Sequence, residues 1–398
     1  MKKPGIIAAV AGILLIAVVL SVLFCLKRSA GKTELQEGYV VYIGTYGNHF
    51  YRYIFDQETR SFTPLGKAEL VNPSYIALGE ENMLDGIYDL YAASEAGAGS
   101  GVYSFADDIM LTRTGSNSRT GHDPCFLFYD RESDTVMTAD YGSGSVSVFD
   151  VGDDGSVGAL LQSLVFRGSG PVASRQESSH IHQLKFLPRQ EGADARYLLA
   201  SDLGADRIRV MKMPDAGQIP FRENMPVLSC LPECDIICGA GSGPRHMEVD
   251  TLRRRLYCLT ELSGELLVFD FSFDGDGRPV FDMTGRFLAD DLRAGGSADI
   301  HLHPSGDFLY TSHRLKKDGI SVFSIAEDGS VTKVGYCRTG KHPRNFAIAP
   351  DGKTMLVACR DDRSVEAYEI DPETGMLSYT GSRVKFAEDM PSCVRIAE

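Results

Sequence analysis

The chain has 398 residues, 43% of them hydrophobic and 24% charged, an ordinary globular mixture that excludes a largely disordered protein. Its formal net charge of −14, with basic residues scattered along the chain, excludes nucleic acid as a partner, because phosphate binding needs a basic face. The 41 glycines and 17 prolines supply turns for many short hairpins.

At the N-terminus Met1-Lys2-Lys3 precedes an unbroken run of apolar and small residues from Pro4 to Leu26, followed by Lys27 and Arg28. A helix of about 20 residues spans a bilayer core, whereas a signal-peptide core is nearer 7 to 15. Residues 1–26 are therefore predicted as a single transmembrane helix that is retained and makes the membrane a partner. The flanking charges, Lys2 and Lys3 against Lys27, Arg28 and Lys32, nearly balance, and the domain is expected outside the cytoplasm. Residues 27–37 (KRSAGKTELQE) read as a polar tether, and residues 38–398 as one folded domain.

From Gly38 onward, strand-like runs with period-two alternation follow one another, with turn signals every 8 to 12 residues or so, and no long amphipathic helix appears. Two series of segments recur. One ends at Tyr46 (VYIGTY), Glu95 (LYAASE), Tyr141 (VMTADY), Leu203 (LLASDL), Glu261 (YCLTEL), Arg314 (YTSHRL) and Arg360 (LVACRD). The other begins at Ser74 (PSYIAL), Cys125 (PCFLFY), His182 (IHQLKF), Arg245 (PRHMEV), Asp299 (ADIHLH), Arg344 (PRNFAI) and Ser392 (PSCVRI). Members of each series lie roughly 45 to 63 residues apart, the period of one four-stranded propeller blade. Seven repeats predict an all-β, seven-bladed β-propeller. Pseudo-symmetry would then aim seven different side chains at one central place.

Two insertions exceed hairpin length, at about 167–178 (RGSGPVASRQES) and about 212–243, and both lead into inner-strand residues, His182 and Arg245. Cys258, Cys337 and Cys359 fall within strand patterns, and Cys125 and Cys393 at inner-strand starts, as expected of free buried thiols. Cys230, Cys234 and Cys238 recur every four residues, but the spacing is not that of a zinc ribbon and no histidine accompanies it, so no metal is assigned. His301 and His303 share one strand face and are read as core or surface histidines; His180 is read as shaping the rim, and His246 as packed within a blade.

The charged members are His182, Arg245, Asp299 and Arg344 in one series and Glu95, Glu261, Arg314 and Arg360 in the other. Charges placed at a propeller axis are costly unless they serve one another or a ligand. The pattern therefore fits either a salt-bridge plug, with Glu261 paired to Arg245 or Arg314, or a site for an anionic ligand.

From about residue 39 to residue 396 the chain resembles the seven-bladed lactonase family that includes bacterial 6-phosphogluconolactonase and the fungal carboxymuconate lactonizing enzyme. The stretches that carry the resemblance are PCFLFYD, DYGSGSVSVF, RQESSHIHQLKFLP, SDLGADRI, GSGPRHMEVD, YCLTELSGELLVF, ADIHLHPSGDFLYTSHR, GKHPRNFAIAPDGKTMLVACRDDRSVEAYEIDPETGML and PSCVRI. The resemblance implies a lactone or anionic sugar as substrate, no cofactor, and catalytic roles for His182, Arg245, Glu261 and Arg314. Where the family has Asn before these strand ends, this chain has Asp140, Thr260 and His313, which changes the amide neighbours of the ionisable groups.

Lactone opening needs a base for water, donors for the oxyanion and an acid for the leaving alkoxide. His182 is the natural base, and Arg245, Arg314 and Arg344 can hold a carboxylate or phosphate. Glu261 is expected to orient His182 or shuttle a proton. Arg344, Glu95, Asp299 and Arg360 are the expected substrate-binding residues. No GxSxG or HExxH motif is present, which makes metal-free acid–base chemistry the simplest reading. Two other functions fit the same residues: a cycloisomerase closing an unsaturated diacid onto a lactone, and a membrane-tethered propeller that binds a ligand or partner protein.

Overall fold

The computed structural model describes residues 38–81, 88–190, 192–214 and 226–397; the expected membrane helix and tether lie outside the described residues. Among the described residues no helix is long and apolar enough to cross a membrane, and apart from single 3-10 turns the elements are strands. They form seven antiparallel sheets, the blades of a β-propeller. Six have four strands, and the one built on Ile181–Phe186 carries two short outer strands, Ser229–Cys230 and Ile236–Ile237, along Arg207–Pro214.

The inner strands are Pro73–Glu81, Pro124–Asp130, Ile181–Phe186, Pro244–Asp250, Ser297–Leu302, Pro343–Ile348 and Met390–Ile396, the seven segments expected from the sequence. Each pairs with a second strand that ends one residue before, or at, a member of the other series. The last blade closes the ring: its inner strand is the C-terminal Met390–Ile396, paired antiparallel with the N-terminal Tyr39–Tyr46. Joining the first and last strands of the propeller in one sheet closes the ring with no gap between them.

Second strands have blades on both sides, so they read as continuous buried runs, as in Ala195–Asp202, every residue of which is buried. Outer strands such as Val157–Val165 alternate with solvent. Large side chains from facing blades fill the seams; Tyr75, Phe126, Leu127, Val148 and Leu198 belong to one such cluster.

A repeated polar contact pins these seams. The hydroxyls of Tyr91, Tyr197 and Tyr310 donate to the carbonyls of Gly155, Gly277 and Gly375 at 3.0, 2.7 and 2.9 Å. These glycines turn outer hairpins with φ of 74°, 74° and 68°, a left-handed conformation that a side chain resists. The turns thus reverse the chain and also present a carbonyl to the blade before.

Candidate active site

In every blade the ladder between inner and second strand slips by one residue at the same place. Such a bulge turns one side chain out of the pleat. The unpaired residues are Ser74, Cys125, His182, Arg245, Arg344 and Ser392, six of the seven inner-strand starts. Ser74, Cys125, Arg245, Arg344 and Ser392 surround an axial space of about 10 Å³, about what one water needs.

Asp299 departs from the expected position. Its strand pairs Ser297 with His313 and Ile300 with Thr311, which puts Ala298 at the bulge and Asp299 one residue farther on, equivalent to His246 and Asn345. A one-residue shift changes the face, so Asp299 does not point to the mouth of the channel. It lies in a deeper, buried tier, accepting from His246 Nδ1 at 2.6 Å, His301 Nε2 at 3.0 Å, the Phe346 amide at 3.2 Å and Asn345 Nδ2. His301 in turn reaches Glu248 at 3.2 Å, and Glu248 reaches Lys185 at 2.8 Å. His301 is therefore more than a packed core or surface histidine: its ring bridges two carboxylates. Burial opposes its charge, but Asp299 and Glu248 prevail and raise it to about 9.

At the mouth, Glu261 is the hub. Its Oε2 lies 2.8 Å from Arg245 Nε and 3.3 Å from Arg314 Nη2, and its Oε1 lies 2.7 Å from Arg175 Nη2. Burial alone would raise this carboxyl; Arg314, Arg245 and Arg175 outweigh it and bring it down to about 2. Glu261 is thus held as an anion, and among the described residues it makes no hydrogen bond to His182. Arg314 is held further by the Gly296 carbonyl at 2.9 Å and by His342 Nε2 at 3.1 Å. Arg245 Nη1 donates to the Ala298 carbonyl.

His182 is buried, edge-on to Tyr141 with ring centroids 5.7 Å apart, and to His246 at 5.1 Å. Its Nδ1 has no partner among the described residues. Burial, then the charge of Arg245, push its pKa well below that of an ordinary histidine, which favours the neutral ring.

On the other side of the channel the Tyr46 hydroxyl donates to Glu95 at 3.0 Å, and burial raises the Glu95 carboxyl. The Arg344 guanidinium sits 5.0 Å from the Tyr46 ring centroid. Among the described residues it makes no hydrogen bond and no ion pair, yet Tyr46, Glu95 and Glu261 overcome the effect of burial and hold it charged. Arg360 does not join the cluster. It pairs with its neighbour Asp361 at 2.7 Å on the rim, and Asp361 contacts His342 at 3.3 Å.

The three residues that stand where the family has Asn make local bonds. Asp140 accepts from Thr138, Ser145 and Ser147, Thr260 bonds Glu265 and Ser263, and His313 bonds Ser297 and Thr311. They fasten their own hairpins.

Sequence reasoning missed Arg175, which arrives from the insertion after Phe166 and also donates to the Tyr141 hydroxyl at 3.3 Å. That loop's length and its approach to His182 were the available signal. His180 stacks on Tyr141 with centroids 4.4 Å apart, consistent with a rim role. Four guanidinium groups, of Arg175, Arg245, Arg314 and Arg344, face two carboxylates, of Glu95 and Glu261, so the mouth carries an excess of two positive charges. The arrangement can hold an anion. A larger groove of about 780 Å³, lined by residues including His49, Tyr103 and Arg113, contains none of these groups. Volume therefore does not mark the chemically equipped place.

Residues 40–396 match the family model described as lactonase, 7-bladed beta-propeller. The chain is 29% identical to the 6-phosphogluconolactonase of Bacillus subtilis over 375 residues, covering 90% of this chain and 98% of the relative. It is 30% identical to the 6-phosphogluconolactonase of Formosa agariphila over 343 residues, covering 82% and 90%. Among solved structures, the periplasmic gluconolactonase of Pseudomonas aeruginosa superimposes with a TM-score of 0.76 at 26% identity, covering 90% of this chain and 99% of that one. A Bacteroides fragilis protein described as a candidate 6-phosphogluconolactonase gives a TM-score of 0.81 at 34% identity, covering 92% and 100%.

Proposed function

Since the chain belongs to the seven-bladed β-propeller lactonase family, we propose that it is a hydrolase opening a sugar lactone that carries an anionic group, with 6-phosphogluconolactone the first candidate. The observation that carries the substrate class is Arg344, a charged guanidinium at the channel mouth with no hydrogen-bonding partner among the described residues. A salt-bridge plug accounts for Arg245, Arg314, Arg175 and Glu261, but not for Arg344. The axial space holds about one water, so the substrate lies across the mouth with its phosphate or carboxylate on Arg344.

His182 acts as the base. Its ring takes a proton from a water as the water oxygen attacks the lactone carbonyl carbon, and Arg245 and Arg314 stabilise the oxyanion. The protonated ring then gives that proton to the ring oxygen as the C–O bond breaks, which yields the hydroxy acid and restores neutral His182. Glu261 takes no proton; it holds three guanidinium groups in place and tempers their charge. A depressed pKa makes His182 a weak base in the empty site, and the arriving anion, by neutralising part of the arginine field, strengthens it.

The membrane helix of residues 1–26, the tether of residues 27–37 and an extracytoplasmic domain complete the proposal. The similarity to a periplasmic gluconolactonase supports a lactone met outside the cytoplasm. Comparing kcat/KM of the full chain for 6-phosphogluconolactone and for unphosphorylated gluconolactone tests the substrate class. Preference for the phosphorylated lactone is expected, and rates no faster than buffer for both would overturn the reading.

A further inference from the structure

In four blades the second strand turns into the third through four residues: 141–144, 203–206, 261–264 and 360–363. The last residue of each turn has a left-handed φ, of 61° at Gly144, 54° at Asp206, 69° at Gly264 and 50° at Arg363. Glycine adopts this conformation freely and aspartate only at a cost. The turn alone therefore gives no reason for an aspartate at position 206. Its carboxylate does.

Asp206 is buried, and its side chain accepts from donors that stand at the ends of both long insertions. Oδ1 takes Gln176 Nε2 at 2.6 Å, the Gly243 amide at 2.8 Å and Ser242 Oγ at 3.2 Å; Oδ2 takes the Gly241 amide at 2.6 Å. These bonds fill the capacity of a carboxylate, about four. The backbone carbonyl of Asp206 adds the Cys238 amide at 3.0 Å. Gln176 is fully buried, follows Arg175 directly, and donates also to the Leu203 carbonyl at 2.8 Å. On the other side, Gly243 stands just before Pro244 and Arg245, and its carbonyl accepts the Glu261 amide at 2.7 Å. The two insertions also pack together, since a Cβ built at Gly241 would lie 3.5 Å from Pro171 Cγ.

We propose that Asp206 is the clamp that sets the channel mouth: its carboxylate joins the two insertions and through them fixes Arg175 and Arg245 on opposite oxygens of Glu261. Arg175 Nη2 lies 2.7 Å from Oε1 and Arg245 Nε 2.8 Å from Oε2. This rests on the reading of the mouth as the place where a lactone is opened, and makes Asp206 and Gln176 positioning residues that act through the two arginines. Arg245 is the unpaired residue of its bulge, so the direction of its side chain depends on how Gly243 and Pro244 enter the strand. The backbone bonds of Gly170, Arg175 and Gln176 stay within the first insertion. Among the described residues, the side chains of Gln176 and Arg175 are thus what hydrogen-bond this stretch to the blades.

The test pairs amide hydrogen exchange, read by mass spectrometry, with kinetics of the full chain on 6-phosphogluconolactone, each variant at a temperature where it is folded. Asp206→Gly removes the carboxylate and keeps the turn, as Gly144 and Gly264 do. Residues 170–176 and 238–243 are expected to lose protection while the inner strands keep theirs. In the same variant kcat/KM should fall about 100-fold, the cost of a misplacement of about 1 Å. Gln176→Ala cuts the arm to Arg175 alone, so only residues 170–176 should lose protection, with kcat/KM down about tenfold. Made on top of Arg175→Ala, Gln176→Ala should lower kcat/KM no further than about twofold, a coupling that a merely structural role would not produce. Asp206→Gly with kcat/KM within about twofold of wild type, or with both segments as protected as in wild type, would overturn the inference. If the wild type hydrolyses no lactone, the proposed function fails, and exchange of the two segments alone decides the clamp. If Asp206→Gly does not fold, Gln176→Ala decides by the same two criteria, applied to residues 170–176.

Discussion

Replacing Glu261 by Gln tests whether the ion cluster at the channel mouth holds the ring together at its axis. The side chain is 6% exposed and is shared by Arg175, Arg245 and Arg314. Its carboxyl is brought from an ordinary 4.5 to about 2. At 1.36 kcal/mol per unit, this difference corresponds to about 3.4 kcal/mol of stability at neutral pH. Unfolding entropy of about 2.1 cal/mol/K per residue, over roughly 360 residues, converts that to a fall in Tm of about 4 °C. The folded pKa is depressed, so the contribution is fully present above the unfolded pKa and is lost as pH falls through the folded one. By pH 3 less than half of it remains, about 1.4 kcal/mol. Urea or thermal unfolding of wild type and Glu261→Gln at pH 7 and pH 3 measures this. The gap between the two proteins should shrink on acidification. A gap near zero at pH 7, or one that does not change with pH, would refute the reasoning.

Arg344→Ala should act the other way: because Arg344 makes no hydrogen bond or ion pair among the described residues, Tm should fall less than in Glu261→Gln, while KM for an anionic lactone rises about 10- to 100-fold, as expected for a charge-assisted hydrogen bond of about 1.5–3 kcal/mol. KM for a neutral lactone should barely move, and steady-state kinetics on the two substrates separates the cases. His301, raised to about 9 between Asp299 and Glu248, contributes stability that is complete below about pH 6.5 and is lost as pH rises through 9. The unfolding free energy of wild type from urea titrations should fall by up to about 3 kcal/mol over that window, and His301→Gln should be less stable at pH 6 and flatter with pH. Tyr310→Phe, which leaves the Gly375 carbonyl without its donor in a blade seam, should lose about 1–3 kcal/mol in denaturant unfolding with activity intact.

The blade repeat was legible because each blade must bury the same faces, so apolar alternation and turn chemistry return at a regular interval. The same regularity located the convergence of Arg245, Glu261 and Arg314. It failed where a single residue decides the register. The segment ADIHLH lacks the proline that marks five of the other six inner-strand starts, which leaves its register open by one residue and hides the tier of Asp299. His246 points away from Arg245, as alternation implies, but the bulge delivers it between inner strands rather than into a blade. Arg175 was hidden because an insertion has no counterpart in the other blades. Arg360 had the right position and the wrong neighbour: Asp361 draws it to the rim.

The most direct test of the account is the rate of 6-phosphogluconolactone hydrolysis by the full chain with His182 replaced by Ala. The account predicts that kcat/KM falls about 10²- to 10⁴-fold, measured at a temperature where the variant is folded, since His182→Ala also removes a buried ring packed against Tyr141 and His246. Hydrolysis by His182→Ala at the wild-type rate would contradict it.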